Sequence, residues 1–253
     1  MKRAIVVGAS SGIGREVALL MLEEGWTLGI AARREERLEE IRRSFPDRVH
    51  TAVIDVCSAN AGDALLGLLE RMGGMDVYVH VAGVGKQNAL LEEGVEEHTV
   101  ATNALGFTRL VDTAFGYMAE HGGGHIAVVS SIAGTKGLGV APSYSATKAF
   151  QNNYVEALSQ LARLRGLPIS FTDIRPGFVD TDLLGTSHRY PMLMKKEKVA
   201  RAAFRAIKKK RRVCIIDWRY RVLVAFWQLI PGWLWVRMPV KTKEKAGYSE
   251  VSK

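Results

Sequence analysis

Residues 5–14 read IVVGASSGIG, so a short apolar run passes directly into a glycine-rich turn and then into a segment with helical spacing. Glycines permit a tight turn and a close approach of the backbone to a ligand. The free N–H groups at the start of the next helix would face the negative charge of a pyrophosphate. A turn with a purely structural role is the alternative, but the strand before it and the helix after it favour a dinucleotide-binding loop. The residues predicted to contact the cofactor here are Gly8, Ser10, Ser11, Gly12, Ile13 and Gly14.

Short apolar runs alternate with segments of helical spacing along the chain up to residue 216. Strands that are apolar throughout are typical of burial on both faces, and the alternation predicts a parallel sheet with right-handed crossovers. We therefore expect an α/β fold, a single Rossmann-type doubly wound sheet of about seven strands with helices on both faces, which binds its ligand beyond the carboxyl ends of the strands. The predicted strands are 5–7, 28–32, 49–54, 77–81, 126–130, 169–174 and 213–216, and the predicted helices are 14–24, 35–44, 61–72, 96–120, 143–163 and 198–208.

Composition limits the class of protein. The chain has 253 residues, 47% of them hydrophobic and 24% charged, which fits one large domain and excludes a disordered chain. Cys57 and Cys214 are the only cysteines, so a disulfide scaffold is excluded, and we expect no metal site. The first apolar run is too short for a signal peptide. We therefore expect a cytoplasmic protein.

Two arginines follow the second predicted strand. A site for NAD usually places Asp or Glu there, to bind the ribose 2′-hydroxyl, but residues 29–34 contain no carboxylate. A guanidinium group at Arg33 or Arg34 would instead bind a 2′-phosphate through two hydrogen bonds. A solvated, basic start of a helix is the alternative. The sequence thus favours NADP(H) over NAD(H), with Arg33 as the better candidate of the two.

Tyr144 and Lys148 lie at the start of a predicted helix. Four residues advance a helix by about 400°, so both side chains emerge on one face, one turn apart. An ammonium group near a phenol favours the phenolate and makes the tyrosine a usable acid or base. By itself the pair would be unremarkable on a helix surface, but Ser131 ends the preceding strand and Asn103 lies in the long helix before it.

The sequence resembles the short-chain dehydrogenase/reductase family over about residues 1–216, because the shared motifs follow one another in the family's order and spacing. The motifs are Gly8–Gly14, Asp55-Val56, Ala82-Gly83, Asn103, Ser130-Ser131, Tyr144-x-x-x-Lys148 and residues 175–181, RPGFVDT.

The resemblance implies catalytic roles for four residues. Tyr144 would protonate a carbonyl oxygen as hydride arrives, and Ser131 would hydrogen-bond the same oxygen. Lys148 would hold the nicotinamide ribose and lower the pKa of Tyr144, and Asn103 would keep a water that links Lys148 to solvent. The cofactor-binding residues that it implies, besides the glycine loop, the two arginines, Tyr144 and Lys148, are Asp55, Val56, Ala82, Gly83, Pro176, Gly177, Val179 and Thr181.

One position departs from the family pattern. The family usually carries Asn-Asn-Ala-Gly after its fourth strand, and this chain has His80-Val81-Ala82-Gly83. The missing amides mostly brace the sheet, so the departure concerns rigidity and cofactor placement. We interpret His80 as a neutral, hydrogen-bonded histidine at a strand end.

The C-terminal part of the chain differs in composition from the rest. Residues 195–253 hold 17 Lys or Arg against 4 Asp or Glu, and four of the five tryptophans lie after residue 217. We therefore divide the chain into a catalytic domain, 1–217, and a basic, Trp-rich extension, 218–253. Aromatic residues between basic clusters favour contact of 218–245 with a membrane surface, and packing on the subunit or across an oligomer interface is the alternative. The basic run 208–212 is interpreted as solvated, and no nucleic acid is expected.

Several functions remain open at this point. The favoured one is an NADP(H)-dependent oxidoreductase that interconverts a ketone and a secondary alcohol on a hydrophobic lipid, steroid or acyl substrate. A 3-oxoacyl-thioester reductase of the fatty-acid type, whose acidic carrier protein would meet the basic extension, is the first alternative. A cofactor-sensing protein without turnover is the second. The family resemblance further implies a homodimer or homotetramer.

Overall fold

The computed structural model describes residues 2–184, 188–240 and 243–244. Its strands are β1 Arg3–Val7, β2 Thr27–Ala32, β3 Val49–Val53, β4 Val77–His80, β5 Gly124–Val129, β6 Ile169–Pro176, β7 Val179–Asp180, β8 His188–Arg189, β9 Met194–Lys195, β10 Val213–Ile216 and β11 Lys243–Glu244. Its helices are α1 Gly12–Glu23, α2 Glu35–Ser44, α3 Ala61–Met72, α4 Glu93–Val100, α5 Phe107–Glu120, α6 Pro142–Leu164, α7 Lys196–Lys208, α8 Trp218–Leu229 and α9 Gly232–Trp235, with a π-helical segment Ala101–Gly106 and a 3₁₀ turn Ile132–Thr135.

Seven of these strands form one parallel sheet in the order β10-β6-β5-β4-β1-β2-β3. The strand order reverses between β1 and β4, and in such sheets the ligand binds at this reversal, beyond the carboxyl ends of the strands. The predicted doubly wound Rossmann-type fold is confirmed.

Alternate residues of β1 belong to two different cores, which is why the strand is apolar throughout. Ala4 and Val6 pack into a core that also contains side chains of α1 and α7. Ile5 and Val7 pack into the core on the other face, with side chains of α3, α5 and α6. All four residues are fully buried, so a polar residue at any of them would lose its contact with water on either face of the sheet.

The predicted long helix 96–120 is wrong in one respect, because three different elements occupy it: α4, the π-helical segment and α5. Gly106 packs closely on the chain after β3, where a Cβ atom would lie 2.6 Å from the carbonyl oxygen of Val56. A π-helical turn widens the helix locally and is often found at functional sites. It contains the predicted site residue Asn103.

In the described part of the C-terminal extension, the inner face of α8 packs on the sheet. Tyr220 and Val224 of α8 are buried in the same core as α1 and α7. The predicted boundary at residue 218 therefore coincides with the start of a helix, whose inner face completes the core. Residues 241–242 and 245–253 of the predicted extension lie outside the described residues. None of the described helices is both long enough and apolar enough to span a bilayer.

Candidate active site

A cavity of about 970 Å³ lies at the carboxyl ends of the strands and brings together all but two of the predicted site residues. The two that do not line it are Gly14 and Asn103. The predicted residues that do are Gly8, Ser10, Ser11, Gly12, Ile13, Arg33, Arg34, Asp55, Val56, Ala82, Gly83, Ser131, Tyr144, Lys148, Pro176, Gly177, Val179 and Thr181.

The glycine loop is shaped by two close backbone contacts. Gly8 has a φ of +93°, and a Cβ atom there would lie 2.5 Å from the backbone nitrogen of Ala82. A Cβ atom at Gly14 would lie 2.2 Å from the carbonyl oxygen of Gly8, so neither position accepts a larger residue without a shift of the backbone. Ser11, the residue before α1, makes no side-chain capping bond to the helix. The first N–H groups of α1 thus keep their positive partial charge for an anion.

Arg34 is the arginine that contacts this loop. Its Nη2 donates to the hydroxyls of Ser10 at 3.1 Å and Ser11 at 2.7 Å. Arg33, the candidate favoured from the sequence, lines the main cavity. Beside the loop, a second cavity of about 500 Å³ is lined by four basic side chains and two acidic ones: Arg15, Arg34, Arg37, Lys196, Asp180 and Asp182. Positive groups therefore outnumber negative ones beside the glycine loop.

The candidate acid–base group is buried and lies close to Ser131. Burial raises the pKa of the Tyr144 phenol, and a hydrogen bond with the Ser131 side chain opposes the rise. Gly85 lies against the phenol ring, since a Cβ atom there would be 2.6 Å from its Cε2 atom. The missing side chain at Gly85 thus leaves the space in which the ring is held. Sequence reasoning missed this residue, because its role depends on a contact across the fold.

Lys148 lies near Tyr144, with its Nζ atom 5.8 Å from the centre of the phenol ring. Burial lowers the pKa of Lys148 from 10.5 to about 8, and the charge of Asp173 opposes this. The ammonium form therefore predominates below about pH 8 and is lost above it. Ion pairing with Arg175, at 2.6 Å, and a hydrogen bond from Ser130 hold the Asp173 carboxylate in place.

His80 takes no part in lining the cavity. Its ring is buried, bonds the Tyr78 hydroxyl through Nδ1 at 2.9 Å and meets the ring of Phe107 edge to face. Burial, followed by the charge of Lys148, lowers its pKa to about 3, so this histidine is neutral at physiological pH. No group of three or more His, Cys, Asp or Glu in the described residues is arranged to hold a metal ion.

Asn103 fixes the loop that follows β4. Its side-chain oxygen accepts from the N–H of Val84 at 2.9 Å, and its Nδ2 donates to the Val84 carbonyl at 2.7 Å. Its backbone carbonyl accepts from Nε2 of Gln151 at 2.8 Å. Gln151 is fully buried in α6 and was not singled out from the sequence. Its position one helical turn after Lys148 could have indicated that its side chain lies near the site.

The C-terminal helix supplies two further side chains to the site that the sequence did not assign. The Tyr220 hydroxyl accepts from the N–H of Phe178 at 3.1 Å and donates to the Pro191 carbonyl at 3.0 Å, so it joins the two segments on either side of the loop after β7. Nε1 of Trp227 donates to the Thr135 hydroxyl at 2.9 Å, and the Trp227 ring lines the cavity. The aromatic composition of 218–235 was visible in the sequence, but not which rings point inward.

Comparison with known proteins bears on this arrangement. The profile of the short chain dehydrogenase family matches residues 2–190, which include every predicted site residue. An uncharacterized oxidoreductase of Myxococcus xanthus is 35% identical over 198 residues, or 76% of this chain and 77% of that protein. A short-chain dehydrogenase structure from Streptomyces avermitilis aligns with a TM-score of 0.77 and 25% identity, over 89% of this chain and 92% of that one. The structure of an alcohol dehydrogenase from the archaeon Thermococcus sibiricus, complexed with 5-hydroxy-NADP, aligns with a TM-score of 0.74 and 27% identity, over 85% and 95%.

Proposed function

The chain belongs to the short-chain dehydrogenase family and is an oxidoreductase, and on that premise we propose that it uses NADP(H) to interconvert a ketone and a secondary alcohol on a hydrophobic substrate. The proposal rests on one observation: Ser131, Tyr144 and Lys148 line the same cavity as the glycine loop. A binding protein without turnover would not need a phenol, a hydroxyl and an ammonium group arranged around the same space.

The residues at the loop end of the cavity fit a phosphorylated dinucleotide. Gly8 and Gly14 keep the turn tight, because a Cβ atom at either would meet backbone atoms, and the uncapped N-terminus of α1 follows the turn. Arg34, with Arg33 beside it, would meet a 2′-phosphate, while Asp55, Val56, Ala82 and Gly83 line the part of the cavity proposed for the adenosine. The NADP-derived ligand in the Thermococcus sibiricus enzyme is consistent with this preference.

The chemistry assigned to the chain is proton transfer and charge stabilisation. When bound, NADPH would supply the hydride. Ser131 would donate a hydrogen bond to the substrate oxygen, and Tyr144 would donate the proton that converts it to a hydroxyl. Lys148 would stabilise the resulting phenolate of Tyr144, which requires its ammonium form. We therefore expect reduction to slow as the pH rises through about 8, where Lys148 loses its proton.

The substrate end of the cavity supports a hydrophobic ligand. Most of the residues there are apolar, and Trp227 contributes its ring from α8. Buried apolar walls favour an apolar ligand by about 25 cal/mol per Å² of surface removed from water. The lining residues at this end are Leu138, Val140, Phe178, Leu183, Leu184, Trp227 and Val240.

A 3-oxoacyl-thioester substrate is the alternative within the family. The basic extension would then meet an acidic carrier protein. Residues 218–240 hold three arginines, and one of them, Arg219, is already paired with Asp217 at 3.0 Å. We therefore favour a free lipid-like ketone or alcohol.

Assembly into a homodimer or homotetramer is part of the proposal. Large apolar side chains are exposed on α6, at Phe150, Leu161 and Leu164, and in the π-helical segment at Leu105. Packing of these helices between subunits would cover them.

A panel of ketones, including medium-chain aliphatic ketones, a steroid ketone and a 3-oxoacyl thioester, tests the function. We expect oxidation of NADPH, followed by its absorbance, with hydrophobic ketones and faster than with NADH. Turnover with the thioester alone would favour the alternative reductase. Tight NADPH binding without turnover on any carbonyl compound would contradict the proposal and favour a cofactor-sensing protein.

A further inference from the structure

We propose that the outer face of the C-terminal helices docks on an anionic lipid bilayer, with the substrate cavity beside the docked face. This outer face is defined by seven large apolar side chains that are exposed on α8, on α9 and directly after it. They are Trp218, Val222, Phe226, Leu229, Trp233, Leu234 and Val236.

The exposed residues of α8 form one apolar stripe. At about 100° per residue, Trp218, Val222 and Phe226 fall within an arc of about 80° of the helix, and Ala225 and Leu229 lie in or next to it. Phe226 is 68% exposed and Leu229 is 79% exposed. The opposite side of the same helix is buried in the core. A helix that is apolar on both sides, with only one side covered by its own chain, requires a second apolar environment.

Charge at the edges of this stripe indicates what that environment is. Residues 218–240 contain three arginines and no Asp or Glu. Arg219 and Arg221 project on either side of the α8 stripe, and Arg237 lies over the ring of Trp233 at 5.6 Å. Arg219 is paired with Asp217 at 3.0 Å, which leaves Arg221 and Arg237 as the exposed positive groups. An apolar centre with cationic edges matches the boundary between acyl chains and anionic headgroups.

A second copy of the chain fits this face less well. In a symmetric dimer the same patch would meet itself, so two sets of arginines would approach each other without any acidic residue of 218–240 between them. Such a contact would bury apolar surface, but repulsion between the arginines would offset part of the free energy gained. A bilayer with anionic headgroups provides the apolar environment and the opposite charge together.

Residues 227–240 connect the outer face to the site. Trp227 and Val240 line the cavity, although Phe226, beside Trp227 in sequence, belongs to the outer face. Three hydrogen bonds tie the segment to the loop that follows Ser131: Trp227 to Thr135, Lys136 to the Ile230 carbonyl at 2.8 Å, and Trp235 to the Gly137 carbonyl at 2.7 Å. Docking of the outer face would therefore place the apolar end of the cavity next to the bilayer, from which a lipid-soluble substrate could enter.

Co-sedimentation of the full chain with vesicles tests the docking. One set of vesicles contains phosphatidylcholine alone, and the other also contains phosphatidylglycerol. We expect binding to the anionic vesicles, weakened by salt. The double variant Phe226→Glu/Leu229→Glu should lower the partition coefficient by about tenfold or more, because two apolar side chains no longer insert. Arg221→Gln/Arg237→Gln should keep weak binding but lose the preference for the anionic vesicles.

Leu66→Glu is the matched control. Leu66 is 41% exposed on α3, so it is an exposed helical leucine away from the outer face and from the proposed subunit contact. It should bind vesicles as the wild type does, and thermal unfolding should show that all variants fold. Recovery of the wild type in the supernatant with both vesicles would overturn the proposal. So would a Phe226→Glu/Leu229→Glu variant that binds normally, or one that only splits an oligomer into monomers.

A separate observation assigns a positioning role to Gln151, and this second inference rests on the proposed function. Nζ of Lys148 donates to Oε1 of Gln151 at 2.9 Å and to the Val129 carbonyl at 3.2 Å. Nε2 of the same amide donates to the Asn103 carbonyl. We infer that Gln151 holds the Lys148 ammonium group and connects it to the π-helical segment through a side-chain amide.

The family resemblance implied a water, kept by Asn103, that links Lys148 to solvent. Here the Gln151 amide itself connects the two residues, as acceptor from the Lys148 ammonium and as donor to the Asn103 carbonyl. A carboxamide does not release a proton near neutral pH, so the link fixes Lys148 without conducting protons. Two of the three N–H groups of Lys148 are used in this way, and one is left for a ligand or a substrate-side partner.

The charged and titratable groups around Lys148 come from three elements. Asp173 of β6 raises the pKa of Lys148, His80 of β4 is neutral, and Tyr144 lies one turn earlier on α6. Replacing the neutral amide of Gln151 should therefore change the pKa of Lys148. A carboxylate should raise this pKa, and an apolar group should lower it.

The test compares Gln151→Leu with Gln151→Glu, with Gln160→Leu at an exposed position of the same helix as the control. We expect the alkaline limb of kcat/KM to move to lower pH in Gln151→Leu and to higher pH in Gln151→Glu, by about 1 pH unit or more for the carboxylate. The Kd for NADPH, measured across the same pH range, should move in the same directions. Unchanged limbs and unchanged Kd profiles in both variants would overturn the role of Gln151. If the wild type reduces no carbonyl compound, the proposed function fails, but the Kd profiles still test Gln151.

Discussion

Tyr144→Phe is expected to lower kcat by a factor of about 10² to 10⁴ while the Kd for NADPH stays within about twofold. The substitution removes only the phenolic oxygen that would donate the proton to the substrate. The phenylalanine ring can keep the contact with Gly85, so the shape of the cavity is retained. Single-turnover measurement with saturating NADPH, together with the Kd from quenching of NADPH fluorescence, separates loss of chemistry from loss of binding.

Tyr154→Phe is the matched control for this prediction. Tyr154 lies on the same helix, but its hydroxyl donates to Asp112 at 2.7 Å, outside the cavity. We expect the turnover of this variant to equal that of the wild type. Retention of more than about a tenth of the wild-type kcat in Tyr144→Phe would show that another group supplies the proton.

The double substitution Arg33→Ala/Arg34→Ala is expected to weaken NADPH binding by about 1.5–3 kcal/mol, or roughly tenfold to 150-fold, because charge-assisted hydrogen bonds to the 2′-phosphate are lost. Binding of NADH, which lacks that phosphate, should change little. Of the two single variants, Arg34→Ala should have the larger effect, since the Arg34 guanidinium already contacts Ser10 and Ser11 in the glycine loop.

Arg43→Ala, at the exposed end of α2, controls for the general loss of a positive charge and should leave both dissociation constants unchanged. Isothermal titration with each cofactor gives the comparison directly. Equal losses of affinity for NADPH and NADH in the double variant would mean that the arginines support the loop and do not distinguish the cofactors.

The sequence predicted the fold and most of the candidate site because both are encoded at short range. The alternation of apolar strands and helices follows from backbone periodicity, and the parallel sheet follows from strands that are apolar on both faces, as in β1. The glycine loop, the arginines after β2 and the pair Tyr144 and Lys148 each lie within a few residues of one another. Their chemistry was therefore readable from spacing.

The π-helical segment could not be predicted in the same way. Residues 96–120 have one continuous helical pattern, and nothing local distinguishes positions 101–106 from the helix on either side. The close approach of Gly106 to the backbone of Val56 brings together two segments that are far apart in sequence. The segment contacts α6 at Gln151, whose Nε2 donates a hydrogen bond to the carbonyl of Asn103, 48 positions away in sequence.

Orientation was the other property that the sequence did not determine. Both Arg33 and Arg34 follow β2, and only the packed loop decides that Arg34 faces Ser10 and Ser11. The aromatic residues of 218–235 were visible as a group, yet Trp227 reaches Thr135, 92 residues away, while Phe226 beside it is exposed. The sequence by itself determined which segments form strands and helices and that the sheet is parallel, because these follow from the pattern of apolar residues along the chain. Tertiary structure alone decided which side chains face the cavity and which face outward, because that choice depends on what distant segments pack against each face of α8.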